Sequence, residues 1–438
     1  MSRAWPLALL VACAAAGDHH ARAPGAGDAA IQCGVLIDGV AERPLEHATI
    51  VVRDGRIVEV VPRFVAADGL RVIDLRGYTC LPGLIDMHTH LTDGPEDGAD
   101  LRRFFRDPPG RRAELSRQHA ADTLRAGFTT VRNVGTYVAW ADRELRDRIN
   151  RGEIPGPRMQ VCGFYLTIPH GGGDLFVPGD PQEPNATDPK FHAGVARGAA
   201  QFRERAAQAV AGGADVVKVI ASGAVLAYGG VPGEPEMTPE ELAAVVAVAH
   251  AAGRRVAAHA HGAQSIKDAI RAGVDTIEHA SLIDDEGIAL ARAHGVALTM
   301  DIYDGDYIDT EGRKHHLPDE FLRKNLETTN AQREAFTRAH AAGVALVFGT
   351  DAATYPHGDN ARQFRYMVER GMTAMEAIRS ATALAADYMG WGDRVGRIAP
   401  GRYGDVIAVA GDPLADITRL EHVSAVIKGG DVYKQPGP

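Results

Sequence analysis

Short apolar runs alternate with helical stretches through the middle of the chain. Eight of these runs are typical of buried strands, and each precedes a stretch with the apolar spacing of an amphipathic helix. In chain order the runs are GLIDMHTH, FTTVRNV, PRMQVCGFY, DVVKVI, RVAAHAH, DTIEHA, ALTMDI and ALVFGTD, and the predicted helices span 113–126, 141–150, 195–211, 239–252, 263–272, 285–294 and 326–342, with a last helix after the eighth run. Eight such pairs predict an α/β protein with a closed (β/α)8 TIM barrel over residues 82–396. A nucleotide-binding sheet has no support, because the glycine-rich phosphate loop is missing.

The two ends of the chain have a different pattern. Residues 30–81 and residues 397–438 consist of short runs with alternating apolar positions, separated by turn dipeptides. Since the two segments flank the predicted barrel and share one pattern, the simplest arrangement pairs them with each other. We therefore predict one small β-sandwich, with its first part at 30–81 and its second part at 397–438.

The first 29 residues predict an exported protein. The opening MSRAWPLALLVACAAAG has one early arginine, an apolar stretch too short to span a bilayer, and then small residues, as a secretory signal has. Within it, LVAC resembles a bacterial lipobox, in which Cys13 would carry lipid and the residues up to 29 would form a tether. An ordinary cleaved signal is the alternative. A lipidated Cys13 predicts a membrane-anchored lipoprotein, and an ordinary cleaved signal predicts a periplasmic protein. A lipid on Cys13 is the only membrane contact that we expect.

Composition and charge narrow the class of protein. The chain has 438 residues, 45% of them hydrophobic, which is typical of a soluble globular protein with a large core. Its net charge of −10 and the absence of any lysine or arginine run argue against a nucleic-acid-binding surface and leave room for a cationic ligand. Beyond Cys13, the cysteines Cys33, Cys80 and Cys162 are odd in number and widely spaced, so we expect neither a disulfide framework nor a cysteine metal site.

Residues that can bind metal ions gather at the carboxyl ends of the predicted strands, the ends that carry the active site in a barrel. They are His88 and His90 on the first strand, Lys218 on the fourth, His259 and His261 on the fifth, His279 on the sixth and Asp351 on the eighth. A single histidine at a strand end is usually a packed core residue. Chance does not explain such residues at five strand ends, so the whole set predicts a metal site. Side chains two apart on a strand share a face, so His88 and His90 can hold one ion while Thr89 points away.

The lysine of this set is an unusual residue for a buried strand. Lys218 lies inside the apolar run VVKVI, and no acidic residue neighbours it in the sequence. A buried ammonium group is costly because desolvation disfavours the charged form. We therefore expect another part of the site to neutralise the charge of Lys218.

The order His-x-His, Lys, His, His, Asp at these strand ends, with a β structure drawn from both termini, resembles the amidohydrolase superfamily with a binuclear metal centre. The resemblance covers about Ala30 to Lys434. The segments VAAHAHGAQSIKDAIRAGVDTIEHASLIDDEG, MDIYDGDY, GTDAATYPHGDNARQF and GRYGDVIAVAGDPLADI resemble the branch of metal-dependent dipeptidases and carboxypeptidases that contains Xaa-Pro and Xaa-Arg/Lys dipeptidases. The similarity is greater to the Xaa-Arg/Lys type.

The resemblance implies a role for each of the gathered residues. One divalent ion, with zinc as the first candidate, is held by His88, His90, Lys218 and Asp351, and a second by Lys218, His259 and His279. It also implies that Lys218 is carboxylated by CO2, that a hydroxide bridging the ions attacks the scissile carbonyl, and that Asp351 accepts its proton and passes it to the leaving amine. Relatives further imply a homo-oligomer.

Three more residues are candidates for substrate binding, each with an alternative. His261 shares a strand face with His259 and either contacts substrate or supports a ligand by a hydrogen bond. His170, in TIPHGGGD, lies near a glycine-rich histidine segment of the relatives that helps to bind the substrate carboxylate, although the order of proline and glycines differs here. Tyr228 either donates to the developing oxyanion or is an ordinary loop tyrosine. Arg132 and Asn133 are expected to be structural.

An acidic stretch follows the seventh predicted strand and could determine specificity. Its members are Asp301, Asp304, Asp306, Asp309 and Glu311, and His357 lies just beyond Asp351. Carboxylates at the mouth of a barrel recognise guanidinium and ammonium groups through charge-assisted hydrogen bonds, although such a stretch is often only solvated.

These observations predict a metal-dependent hydrolase that cleaves dipeptides or N-acyl amino acids with a C-terminal arginine or lysine. The alternatives are a dipeptidase for Xaa-Pro or hydrophobic residues, and another amide or cyclic-amide hydrolase such as an imidazolonepropionase-like enzyme. Lys218 counts against the last, since many such enzymes hold one metal and lack this lysine. A different class, a surface binding lipoprotein without catalysis, is disfavoured because the ligand set is complete.

Overall fold

The computed structural model describes residues 27–65, 69–108, 110–180 and 188–437. The predicted signal and tether at 1–29 therefore lie almost wholly outside the described residues, and so does Cys13. Within the described ranges, no helix has the length and apolar character needed to cross a membrane.

Strands form the two ends of the described chain, and strands alternate with helices between them. The strands are β1 (Ala29–Leu36), β2 (Leu45–Arg53), β3 (Arg56–Val61), β4 (Arg71–Pro82), β5 (Leu84–Thr89), β6 (Phe128–Asn133), β7 (Arg158–Val161), β8 (Tyr165–Leu166), β9 (Val216–Ile220), β10 (Arg255–Ala260), β11 (Thr276–His279), β12 (Ala297–Thr299), β13 (Leu346–Val347), β14 (Val406–Ala410), β15 (Val423–Lys428) and β16 (Asp431–Lys434). The α-helices are α1 (Pro95–Ala99), α2 (Arg103–Arg106), α3 (Arg111–Arg125), α4 (Ala141–Asn150), α5 (Gly198–Ala211), α6 (Pro239–Ala251), α7 (Ala263–Ala272), α8 (Asp285–His294), α9 (Asp304–Glu311), α10 (Asp319–Ala341), α11 (Gln363–Glu369), α12 (Ala374–Ser380) and α13 (Ala383–Met389).

The strands from the two chain ends form one mixed sheet, in the order β16-β15-β14-β4-β1-β2-β3. The pairing of the ends is confirmed by β14, which runs antiparallel to β4 with Ala408 opposite Cys80. Side chains from both ends, such as Ile50 and Ile427, share one buried cluster. These strands are hydrogen-bonded into one seven-stranded sheet, which supports the predicted sandwich in part.

A disulfide joins two strands of this sheet. Cys33 on β1 and Cys80 on β4 are bonded, with their Cα atoms 5.8 Å apart, so the expectation that the cysteines form no disulfide was wrong. The two residues are 47 positions apart in the chain and become neighbours only because β1 and β4 pair side by side. Spacing along the sequence does not reveal such pairing. Cys162 is free and buried.

The middle of the chain is an α/β fold with parallel-strand sheets, consistent with the predicted TIM-barrel type of domain. One sheet contains β5, β6 and β7, and the other runs from β8 to β13. The third predicted strand is split into β7 and β8, and within the described residues no ladder joins these two halves. At the opposite seam, the backbone N–H of Met87 donates to the carbonyl of Phe348 at 2.9 Å, and Thr89 forms a parallel bridge with Ala352.

Side-chain caps mark the starts of α6, α8 and α12 among the described helices. At the start of α6, the Thr238 hydroxyl accepts from the N–H of Glu241 at 3.3 Å and the Glu241 carboxylate accepts from the N–H of Thr238 at 2.9 Å, which confirms the predicted capping box. Two helices differ from the prediction. α10 begins earlier than residue 326, and the acidic stretch after β12 forms α9. Burial of Gly305 and Ile308 against the rest of the protein stabilises α9 although its acidic face has little apolar periodicity.

Candidate metal centre

The carboxyl ends of β5, β9, β10 and β11 meet the segment after β13 around a cleft of about 1000 Å3. This cleft is lined by all six predicted ligands: His88, His90, Lys218, His259, His279 and Asp351. They converge because parallel strands place their carboxyl ends on one side of the sheet. The structure therefore brings together residues that are as far apart in the chain as 88 and 351.

The first group of donor atoms surrounds the Asp351 carboxylate. Oδ1 of Asp351 lies 3.0 Å from Nε2 of His90 and 3.4 Å from Nε2 of His88. The two Nε2 atoms are themselves 3.3 Å apart. Although burial opposes it, the hydrogen bond to Asp351 raises the pKa of His90, while burial lowers the pKa of His88 well below its usual value.

The second group contains three imidazoles. His259, His261 and His279 each offer a ring nitrogen within 4.8 Å of the others. The His261 ring stacks on that of His279 at 4.7 Å, and the His259 ring meets the His279 ring edge-on at 4.5 Å. Burial lowers the pKa values of His259 and His261 well below the usual range, which favours neutral rings that offer lone pairs.

Lys218 lies among these histidines on β9. Its side chain is fully buried, and within the described residues its Nζ makes no hydrogen bond and no ion pair. Burial lowers the pKa of this amine. The site thus offers several imidazole nitrogens, one aspartate and an amine without a partner among the described residues. This set of donors fits a pair of divalent cations.

Each of two ligand histidines is oriented by a buried carboxylate behind it. Nδ1 of His88 lies 2.9 Å from Oε2 of Glu278, and the Arg132 guanidinium donates to the other oxygen of Glu278 at 2.7 Å. Nδ1 of His279 lies 2.9 Å from Oδ2 of Asp301. Such carboxylate partners direct the opposite ring nitrogen toward a metal and raise its basicity.

Three further contacts involve neutral partners, and in one of them Nε2 of His259 lies 3.4 Å from the carbonyl of Gly223. Nδ1 of His90 lies 3.1 Å from the carbonyl of Gly135, which can only accept, so this nitrogen carries the proton. Nδ1 of His261 lies 2.8 Å from Oγ of Ser281. Nε2 of His90 is therefore the nitrogen that remains free to bind a cation.

The members of the predicted acidic stretch lie in different surroundings, some in the cleft and some outside it. Asp301 accepts from His279 and, at 2.7 Å, from Gln332, and although burial opposes it, His279 lowers the pKa of Asp301. Asp304 also lines the cleft, and burial together with the nearby Asp301 raises its pKa well above the usual value. Asp306 is not among the lining residues. It pairs with Arg333 at 2.8 Å instead.

Besides Asp306, three predicted substrate contacts lie outside the lining of the cleft. His170 is exposed, and its ring stacks on Phe176 at 4.2 Å. Tyr228 is half-buried, and its ring packs on Phe321. His357 is buried with Nε2 2.9 Å from the carbonyl of Asp93. The part of these three residues in substrate binding stays a prediction.

Several cleft residues were not found from the sequence. They are Asp93, Asp97, Leu101, Phe104, Tyr137, Tyr165, Leu226 and Ile308. Most lie in loops or short helices after strands, where no periodic pattern distinguishes a cleft residue from a surface residue. Tyr165 is the last residue of the predicted third strand, so its place at a carboxyl end was the one available signal. Burial raises the pKa of Asp93 to about 6.

Buried imidazoles, a buried lysine and an aspartate at the ends of parallel strands define a metal-binding hydrolase site in an α/β fold. Residues 79–433 match the sequence profile of the amidohydrolase family, and the chain belongs to that family. It is accordingly a hydrolase acting on amide or peptide bonds.

Individual relatives agree with this assignment. The chain is 30% identical to ochratoxinase from Aspergillus niger over 429 residues, which cover 93% of this chain and 87% of the relative. A crystal structure of a Xaa-Pro dipeptidase with methionine bound in its active site is similar with a TM-score of 0.86 and 35% identity, covering 93% of this chain and 100% of that one. A prolidase complexed with N-methylphosphonate-L-proline has the same TM-score at 30% identity, covering 93% of this chain and 99% of that one.

Proposed function

We propose that the protein hydrolyses dipeptides or N-acyl amino acids that carry a C-terminal arginine or lysine. The observation that carries the hydrolytic part is the convergence of four imidazoles, Lys218 and Asp351 on one cleft. The preference for a cationic residue is supported by carboxyl groups in the cleft wall, whose ionised forms a bound guanidinium or ammonium group would favour. Asp93 and Asp304 line it, and apart from Lys218 the described lining contains no arginine or lysine.

Two divalent ions, with zinc as the first candidate, would be held by His88, His90, Asp351, Lys218, His259 and His279. When bound, such ions ionise water near neutral pH and polarise a carbonyl group. Asp351 would accept the proton of the attacking water and then deliver it to the leaving amine. Its carboxylate lies within 3.4 Å of both His88 and His90, so its orientation is restrained.

Lys218 would act as a carbamate. Its neutral amine forms a C–N bond to the carbon of CO2 and loses one proton, which gives an anion with two oxygen donors in place of an ammonium group. The burial of Lys218 and its lack of a partner among the described residues support this step, because the anion would be matched by the nearby cations. Mass spectrometry of the native, metal-loaded protein would detect the added CO2.

The specificity is tested with dipeptides that differ only in their C-terminal residue: arginine, lysine, proline and leucine. We expect two metal ions per chain by elemental analysis, and the highest kcat/KM for arginine and lysine. Lys218→Ala should lose activity and metal, and Lys190→Ala is the matched control because Lys190 is half-exposed at the surface. Preference for proline or leucine would refute the cationic specificity and leave the hydrolytic mechanism intact.

A second candidate, a dipeptidase for Xaa-Pro or hydrophobic residues, is favoured by a different part of the wall. Leu101, Phe104, Leu226 and Ile308 give one side of the cleft an apolar surface. The structural similarity to a Xaa-Pro dipeptidase supports the same candidate. The proline and leucine substrates of the panel distinguish it from the first.

We also propose that the eight strands close into a barrel, which is supported at one seam by the hydrogen bond from Met87 to Phe348. Export, with Cys13 as the lipid-bearing residue or with a simply cleaved signal, and assembly into a homo-oligomer remain further proposals. Incorporation of labelled fatty acid, compared between wild type and Cys13→Ala, tests the lipid anchor. Light scattering of the purified protein tests the homo-oligomer.

A further inference from the structure

Tyr165 stands beside the ligand histidines, and the proposed mechanism gives it no role. It lies on β8, where it is the register partner of Lys218 on β9. Its side chain lines the cleft, and its Oη is 3.3 Å from Nδ1 of His90. The phenol therefore stands in the same layer of inward-facing side chains as the buried lysine.

The hydrogen-bond roles at this point follow from the partners. Nδ1 of His90 faces the carbonyl of Gly135, which cannot donate, so Nδ1 carries the hydrogen. The same N–H faces Oη of Tyr165, so Oη accepts there. No acceptor for the O–H of Tyr165 occurs among the described residues. The hydroxyl hydrogen is thus available to a molecule in the cleft.

The position of the phenol is tightly set by its neighbours. A Cβ atom at residue 135 would lie 2.2 Å from Oη of Tyr165 and 1.9 Å from its ring. Only glycine at residue 135 therefore leaves room for the Tyr165 side chain. The Tyr137 ring lies 5.3 Å away on the other side, and the Tyr137 hydroxyl is already used, since it donates to the carbonyl of Gly172 at 3.1 Å. Of these two tyrosines, only Tyr165 has a free donor.

We propose that Tyr165 is a catalytic residue that donates a hydrogen bond to the oxygen of the scissile carbonyl as this oxygen gains negative charge. This inference rests on the proposed hydrolytic function but not on its side-chain preference. A donor held in place before the reaction stabilises the tetrahedral stage more than the ground state, because the charge on the oxygen appears only there. No bond is made or broken by Tyr165, and its proton stays on the phenol.

The test compares Tyr165→Phe with the wild type, both loaded with metal. The variant keeps the ring and removes only the hydroxyl, so its melting temperature and metal content should match the wild type. We expect kcat on the best dipeptide of the panel to fall by about 100- to 1,000-fold with KM little changed. Tyr388→Phe is the matched control, because that hydroxyl bonds only the backbone of Gly295 at the surface.

Binding of a phosphonamidate analogue provides a readout that does not need turnover. Its tetrahedral, anionic centre imitates the charge that Tyr165 should stabilise, so calorimetry should show weaker binding to Tyr165→Phe by a similar factor. Wild-type kcat and analogue affinity in the variant would overturn the proposal. Loss of metal from the variant would also overturn it, because Tyr165 would then act only by positioning His90. If the wild type cleaves no dipeptide of the panel but its analogue affinity still depends on Tyr165, the proposed dipeptide substrates are wrong, while the donor role of Tyr165 in amide hydrolysis stands.

Discussion

The carboxylate of Glu278 joins His88 to Arg132 beneath the cleft. One oxygen lies 2.9 Å from Nδ1 of His88, and the other accepts from Arg132 at 2.7 Å. All three side chains are buried, and the opposite charges of Arg132 and Glu278 compensate each other. The network connects the ligands of β5 and β11 through the neighbouring strand β6, and it leads to the first prediction.

Glu278→Gln should weaken metal binding by about 10- to 100-fold, because the amide supports the His88 imidazole less strongly than a carboxylate does. Competition with a chelator measures the change in affinity. Glu327→Gln is the control, since Glu327 makes an exposed ion pair with Arg323 on α10. Equal metal affinity in wild type and Glu278→Gln would contradict the role of this network.

Asp351→Asn should lower kcat by about 100- to 10,000-fold, because the amide cannot accept the proton of the attacking water. The measurement is steady-state hydrolysis at saturating metal, so that weaker metal binding does not mask the effect on chemistry. Asp393→Asn serves as the control because Asp393 has an exposed side chain. Near-normal kcat in Asp351→Asn would assign the proton transfer to another group.

Asp304→Asn should raise KM for the arginine dipeptide more than for the leucine dipeptide, because it removes a carboxylate from the lining of the cleft. Asp306→Asn should instead lower thermal stability, since Asp306 pairs with Arg333 outside that lining. Kinetics on both substrates and a melting curve for each variant distinguish the two effects. An equal rise of KM for both dipeptides would refute charge recognition by Asp304.

Lys428 should make stability depend on pH at the junction between the terminal sheet and the α/β domain. Burial, followed by the nearby Arg158, lowers the pKa of Lys428 to about 7, while Asp405 acts in the opposite direction. An unfolded lysine titrates near 10.4, so the unfolded state binds more protons between about pH 7 and pH 10. The contribution of Lys428 to the free energy of unfolding should therefore rise with pH between about pH 7 and pH 10.

Lys428→Met removes this contribution. The stability of the variant relative to the wild type should be highest near pH 7 and should decline toward pH 10, as measured by urea unfolding at several pH values. The variant also loses the hydrogen bond from Nζ to the carbonyl of Gly156. This loss shifts the difference in free energy of unfolding between variant and wild type by the same amount at every pH. A difference that does not change with pH would show that Lys428 titrates normally.

The Cys33–Cys80 disulfide should stabilise the terminal sheet by about 2–4 kcal/mol, because it restricts the unfolded chain. Replacing both cysteines by alanine should lower the free energy of unfolding by that amount. Reductant should destabilise the wild type and leave the double variant unchanged. Insensitivity of the wild type to reductant would contradict the contribution of this bond.

The convergence of the proposed ligand residues on one cleft could be predicted from the sequence because their placement depends on local rules. His88 and His90 share a face through the two-residue period of a strand, and parallel topology directs the ends of β9, β10 and β11 to the same side. Neither rule requires knowledge of distant contacts. Tyr165 was missed because its seat depends on Gly135, on the split between β7 and β8 and on the register with Lys218.

The sequence by itself determined the alternation of strands and helices and the set of residues able to bind metal, since both depend on side-chain period and chemistry within short segments. Tertiary structure alone decided which carboxylates face the cleft and which are paired elsewhere, as the different partners of Asp304 and Asp306 illustrate. It also decided that Cys33 meets Cys80. The physical reason is that the burial and the partners of a side chain depend on contacts between segments far apart in the chain. In such contacts a small difference in the direction of a side chain decides which neighbour it meets.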